Sequence, residues 1–230
     1  MNYLFLFRMI KTSVGRKQLM AVTGLLIASF LFIHLAGNLL LFKGEDWYNG
    51  WSELLIANPA TIYIEIGLLF LFIIHITMAV WVRTEDLINA SYRKYDMSRW
   101  HGGRTIGSAT MLYTAIIILV YLVFHIIHFR FADKSIGVYQ MVVSAFRSPL
   151  FVSIYIIGSV ALALHLSHGF QSALETLGIN HIKYNVYIKI AGYLVAVCMV
   201  FFAVISLYFY FGLDLREIAD ASNIVEMTIE

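Results

Sequence analysis

The chain has 230 residues and a mass of 26.2 kDa; 60% of its residues are hydrophobic, 13% are charged, and its mean hydropathy is +0.79. A soluble domain is about half apolar and about a quarter charged, so this composition excludes an ordinary soluble globule, and it equally excludes disorder, which needs low hydrophobicity and high net charge. The net charge of +2 offers no nucleic-acid footprint, and the single cysteine, Cys198, excludes disulfides and cysteine-held clusters.

What remains is an all-α integral membrane protein. A bilayer crossing needs about 20 apolar residues of helix, and five runs qualify, at about 19–42, 60–82, 105–129, 149–174 and 187–212. The first contains His34 and Asn38 and is too long for a cleaved signal peptide. The second starts just after Pro59 and the fourth at Pro149, where a proline's missing N–H costs nothing. These are the only prolines, so no span is expected to be kinked by one. Trp47, Tyr48 and Trp51 predict a short interfacial helix after the first span. One transmembrane domain over 1–212 and a polar tail over 213–230 complete the expected organisation.

Lysine and arginine set the expected orientation. The N-terminal segment and the 83–104 and 175–189 loops hold eleven of the 16, and the other side holds five. Positive-inside then puts the N-terminus in the cytoplasm and the C-terminus outside. The basic 83–104 loop, expected as the longest cytoplasmic connection, is read either as topogenic charge or as a docking surface for a cytoplasmic partner.

Ionisable residues within spans are costly and are functional candidates by default. Six of the eight histidines lie in or at the edge of spans: His34, His75, His125, His128, His165 and His168. His101 and His181 fall in loops and read as solvated. At 1.5 Å per residue, His34 lies about 14 Å and His125 about 8 Å from the outer edge, and His75 about 12 Å and His165 about 15 Å from the inner edge. The separations repeat, 41 residues from His34 to His75 and 40 from His125 to His165. Two helical hairpins thus carry one pattern, an outer histidine followed by an inner one.

Two facing imidazoles at one depth are the axial set of a bis-histidine haem, and a bundle of four helices is a usual frame for such a site. The expected pairs are His34 with His125, outer, and His75 with His165, inner. With no Cys-x-x-Cys-His motif the two haems would be b-type. Zinc would be under-coordinated by two histidines. His125 is preferred over His128, which lies almost at the headgroups; depth does not separate His165 from His168. Glu65 is the one acid well inside a predicted span, about 9 Å from its outer end, and a desolvated carboxylate there suits proton uptake and release.

Several stretches resemble the five-helix, dihaem cytochrome b subunits of succinate dehydrogenases and fumarate reductases. They are Thr23-Gly24 with His34-Leu35-Ala36-Gly37-Asn38, Phe72-Ile73-Ile74-His75, Arg104-Thr105-Ile106-Gly107 with Phe124-His125, and His165-Leu166-Ser167-His168-Gly169-Phe170-Gln171-Ser172-Ala173 with Thr176-Leu177-Gly178. The resemblance spans residues from about 13 to 210. It implies a membrane anchor in a bacterial cell membrane for a flavoprotein subunit, which interconverts succinate and fumarate, and an iron–sulfur subunit, which delivers electrons to the inner haem. It implies His165 rather than His168 as the fourth ligand, and a quinone, usually menaquinone, handled near the outer haem, with Glu65 in that region. Two other classes compete: a cytochrome b subunit of a different membrane oxidoreductase, such as a hydrogenase or formate dehydrogenase, and a transporter using histidines and Glu65 as a proton relay.

Overall fold

A computed structural model of the chain describes residues 9–92, 105–179, 181 and 183–212, with the backbone alone over 90–92. The described elements are helical throughout. We number them α1 (Ser13–Leu39), α2 (Glu45–Ala57), α3 (Ala60–Tyr92), α4 (Ile106–His125), α5 (Val138–Phe146), α6 (Pro149–Thr176) and α7 (Asn185–Tyr210). Five stretches are long and apolar enough to cross a membrane: Ser13–Lys43, Ala60–Asn89, Ile106–Arg130, Pro149–Thr176 and Asn185–Tyr210.

Local chemistry sets the helix ends. Thr12 caps α1 by accepting from the Gly15 amide at 3.0 Å, and Thr105 caps α4 by accepting from Ser108 at 3.1 Å. Pro149 occupies the first turn of α6. That helix closes in a Schellman motif: Ile179 donates to the Leu174 carbonyl at 2.9 Å and Gly178 to that of Glu175 at 3.1 Å, with Gly178 at φ +85°. The Thr176-Leu177-Gly178 stretch is thus a helix stop.

α3 outruns its expected end at residue 82 by ten residues. No glycine or proline occurs from 68 to 101, so nothing in the backbone breaks the helix where the charges begin. The first part of the expected 83–104 loop is therefore helical, while 93–104, with Arg93, Lys94, Arg99 and His101, lies outside the described residues, as does the 213–230 tail. A helix is present where one was expected around Trp47–Trp51, as α2. Two further elements are not expected from the hydropathy pattern: α5, and a single π-helical turn over Ile126–Arg130 that continues α4.

α6 is the central post. It packs on α1, α4 and α7, while α3 packs on α1. Its small residues Gly158, Ser159, Ala161 and Ala163 are buried and admit these neighbours closely. The densest core surrounds Leu41, Tyr155, Met199, Ser206 and Phe209, under a cap made by α2 and α5. Asn49 accepts from the Tyr139 amide at 2.9 Å and ties the two cap helices together. Burial pushes the Tyr48 phenol in this cap up to about 12, so it stays protonated. The outward faces of α3 and α4, with Leu69, Phe70, Tyr113 and Val120, are apolar and exposed, as lipid-facing helices are.

Candidate functional site

The helices bring four of the six span histidines together as two pairs. α1 and α4 are not among the closely packed pairs, yet their side chains meet: the His34 and His125 rings have centroids 5.8 Å apart at an interplanar angle of 86°. An imidazole nitrogen binds a first-row metal at about 2 Å, so two opposed imidazoles on one metal have ring centres about 6 Å apart. The observed separation fits that donor set. Phe30 stacks on His34 at 5.5 Å, and Phe202 of α7 lies 5.7 Å from it. Tyr121, Phe129 and Tyr155 flank His125 at 5.8, 5.5 and 5.9 Å.

The second level holds His75 of α3 and His165 of α6, within electrostatic reach of one another. Here the hydrogen bonds determine which ring nitrogen is available. His75 Nδ1 lies 3.0 Å from the Met20 carbonyl, which can only accept, so Nδ1 carries the proton and Nε2 keeps its lone pair. His165 Nδ1 lies 3.4 Å from Thr114 Oγ1, whose own hydrogen is committed to the Thr110 or Met111 carbonyl, both at 3.1 Å. Thr114 therefore accepts, and His165 also presents Nε2. Thr23 stands beside His75 in the same way, 3.3 Å from Nδ1 with its hydroxyl donating to the Leu19 carbonyl at 2.8 Å. A metal-binding histidine almost always donates its other N–H to such an acceptor.

Glycines let the rings in. A Cβ on Gly24 would lie 2.9 Å from His75 Cε1, and one on Gly158 would lie 2.5 Å from the Tyr121 ring beside His125. Both cradles are filled by the aromatic side chains at the two levels.

Thr23 and Thr114 were not recognised as site residues from sequence, although a signal exists. Each precedes the histidine of its own helix by eleven residues, Thr23 before His34 and Thr114 before His125. Eleven residues are close to three turns, so each helix presents a threonine to one level and a histidine to the other along one face. Tyr155 was also missed. Its hydroxyl lies 3.3 Å from His125 Nδ1 and 3.5 Å from His128 Nδ1, and no spacing rule distinguishes it from other span tyrosines.

The remaining candidates are not members of the two pairs, although His128 shares Tyr155 with His125. His128, on the π-helical turn, stacks on Phe151 with centroids 4.1 Å apart at 14°. His168 lies against the start of α4, where a Cβ on Gly107 would come within 3.0 Å of its own Cβ. His181 is an exposed loop residue whose Nδ1 accepts from the Lys183 amide at 3.2 Å. Among the described residues no three His, Cys, Asp or Glu side chains gather at one point, so each level offers two imidazoles and no larger ligand set. Glu65 is not the lone acid expected of it. Its carboxylate makes a two-point pair with Arg130, at 3.0 Å to Nε and 3.1 Å to Nη2, and the side chains are 39% and 55% exposed. The π-helical turn, invisible in the hydropathy pattern, is the element that carries Arg130 to it.

Among known proteins the chain is similar to the succinate dehydrogenase cytochrome b558 subunit of Bacillus subtilis (strain 168), with 26% identity over 157 residues, which cover 67% of this chain and 74% of that protein. No family model matches the chain, and no solved structure matches it. The chain is thus an all-helical protein with five helices long and apolar enough to cross a membrane, and it is similar to a membrane cytochrome b subunit of a succinate dehydrogenase.

Proposed function

We propose that this chain is the membrane anchor and dihaem electron-transfer subunit of a succinate dehydrogenase or fumarate reductase complex. In this reading it passes electrons between an iron–sulfur partner and a membrane quinone, menaquinone in the first instance, while a flavoprotein partner carries the succinate/fumarate chemistry. The observation that carries the reading is the pairing of span histidines at two levels, with Nδ1 of His75 and of His165 held by an oxygen acceptor so that Nε2 is presented. The similarity to a succinate dehydrogenase cytochrome b subunit supports the choice of complex.

His34 and His125 would hold one haem b and His75 and His165 the other; bound haem iron supplies one-electron steps between its ferric and ferrous states. The protein's part is to fix the imidazoles and keep water out. Met20, Thr23 and Thr114 orient the rings of one level. Tyr155 stands behind His125 at the other, and Phe30 and Phe202 wall His34. By the charge count the His75–His165 level is the inner one, next to the cytoplasmic partners, and the His34–His125 level is nearer the outside, where the quinone would react. A two-electron quinone reaction also takes up or releases two protons. Glu65, paired with Arg130 at that end, is our proposed carrier for them: the guanidinium orients the carboxylate, and proton transfer requires the pair to open.

The test is the haem-to-polypeptide ratio of the purified complex by pyridine haemochrome assay. Two haems b per chain is the expected result. A ratio of one or none would overturn the dihaem reading, and a colourless preparation would favour a proton relay.

A further inference from the structure

Arg16 is the one charged side chain that is buried among the described residues, at 4% exposure. Its donors are only partly used. Nη1 donates to the Ile10 carbonyl at 2.7 Å; Nη2 donates to Ser13 Oγ at 3.2 Å and pairs with the Glu85 carboxylate; the guanidinium lies 4.8 Å above the Trp81 ring. Among the described residues Nε has no hydrogen-bond partner. A buried N–H without an acceptor is costly, and more so on a charged group.

The position of Arg16 narrows what that acceptor is. Arg16 precedes His34 by eighteen residues, five full turns, so the two share one face of α1. It precedes Met20, whose carbonyl holds His75, by four residues, about 6 Å toward the start of the helix. The open donor thus belongs to the face of α1 that serves both histidine levels, one turn beyond the His75–His165 level. Haem b is apolar except for its two propionate carboxylates, and a guanidinium edge is the matching donor for a carboxylate.

We propose that Arg16 binds a propionate of the haem at the His75–His165 level through Nε, with Glu85 and Trp81 holding the guanidinium in place. The proposal rests on the dihaem reading above. An anionic lipid headgroup offers similar oxygens, but Arg16 is buried and lies on the side of α1 that carries His34.

Esterified haem tests this without relying on any change at Arg16. The full-length apoprotein in detergent, carrying His34→Ala so that only the inner level is read, is titrated with haem b and with haem b dimethyl ester. Esterification is expected to weaken binding roughly tenfold or more, the worth of a charge-assisted hydrogen bond, and Arg16→Gln is expected to abolish that discrimination. Equal binding of haem and its ester overturns the proposal, whatever lipid does at Nε. A second arm uses the intact complex and the midpoint potential of the inner haem. Arg16→Gln is expected to lower it, since a cation that favours the reduced state is removed, and to lower it also in a Glu85→Gln background. If Arg16→Gln leaves the potential unchanged in that background, Arg16 serves Glu85 alone and the proposal falls. A wild-type complex holding two haems with an indifferent Arg16 overturns only this inference; one holding no haem overturns the dihaem reading with it.

Discussion

Thr114→Val tests the second-level geometry most sharply, because valine keeps the shape of threonine and deletes only its oxygen. Thr114 is buried, and its Oγ1 is the acceptor the structure gives His165 Nδ1. Removing it leaves a buried N–H unpaired, at a cost of about 1–3 kcal/mol. At 1.4 kcal/mol per factor of ten, that is roughly 5- to 150-fold in affinity for the inner haem, in line with the roughly 10- to 100-fold typical of lost second-sphere partners. Thr23→Val is the internal control. His75 Nδ1 keeps the Met20 carbonyl at 3.0 Å when the Thr23 hydroxyl is deleted, so the expected loss is less than about threefold, under the worth of one ordinary hydrogen bond. The assay is haem titration of the purified apoprotein, followed by absorbance, with the His34–His125 level monitored in the same sample and expected to be unchanged. The reasoning is refuted if Thr114→Val binds haem as tightly as the wild type, or if Thr23→Val loses as much as Thr114→Val.

Three further outcomes are expected. His165→Ala should abolish the inner haem's spectral and redox signal, while His168→Ala should retain both haems; the reverse would exchange the two assignments. Glu65→Gln should reduce quinone-linked turnover while succinate oxidation with a soluble acceptor and both haems persist, and unchanged quinone turnover would make the Glu65–Arg130 pair purely structural. Gly24→Ala places a methyl 2.9 Å from His75 Cε1 and Gly158→Ala one 2.5 Å from the Tyr121 ring, so the first should perturb only the inner haem's spectrum and the second only the outer's; identical effects from both would contradict the two-level arrangement.

Span number, helix starts at Pro149 and just after Pro59, and the helix around Trp47 were legible because each rests on a local signal, either composition within a window or one residue's backbone preference. The end of α3 was misplaced because hydropathy reports where apolar side chains stop, whereas a helix stops where its hydrogen bonds are interrupted, and no glycine or proline falls between 82 and 92 to interrupt them. The depth of each histidine was also countable, since residue number converts to height along a straight helix.

From the sequence alone came a five-span membrane protein with two tiers of histidine, because hydrophobicity and helical rise are properties of consecutive residues. The tertiary structure alone decided which imidazole nitrogen is presented, since the Met20 carbonyl and the Thr114 hydroxyl belong to other helices than the rings they hold. It also turned Glu65 from a lone intramembrane acid into half of an ion pair, because a π-helical turn 61 residues on begins the stretch that carries Arg130. Likewise it made Arg16, one basic residue among several at the N-terminus, a buried cation with an open donor. Tautomer, pairing and burial depend on what lies across the gap between helices, and no window along the chain contains that information.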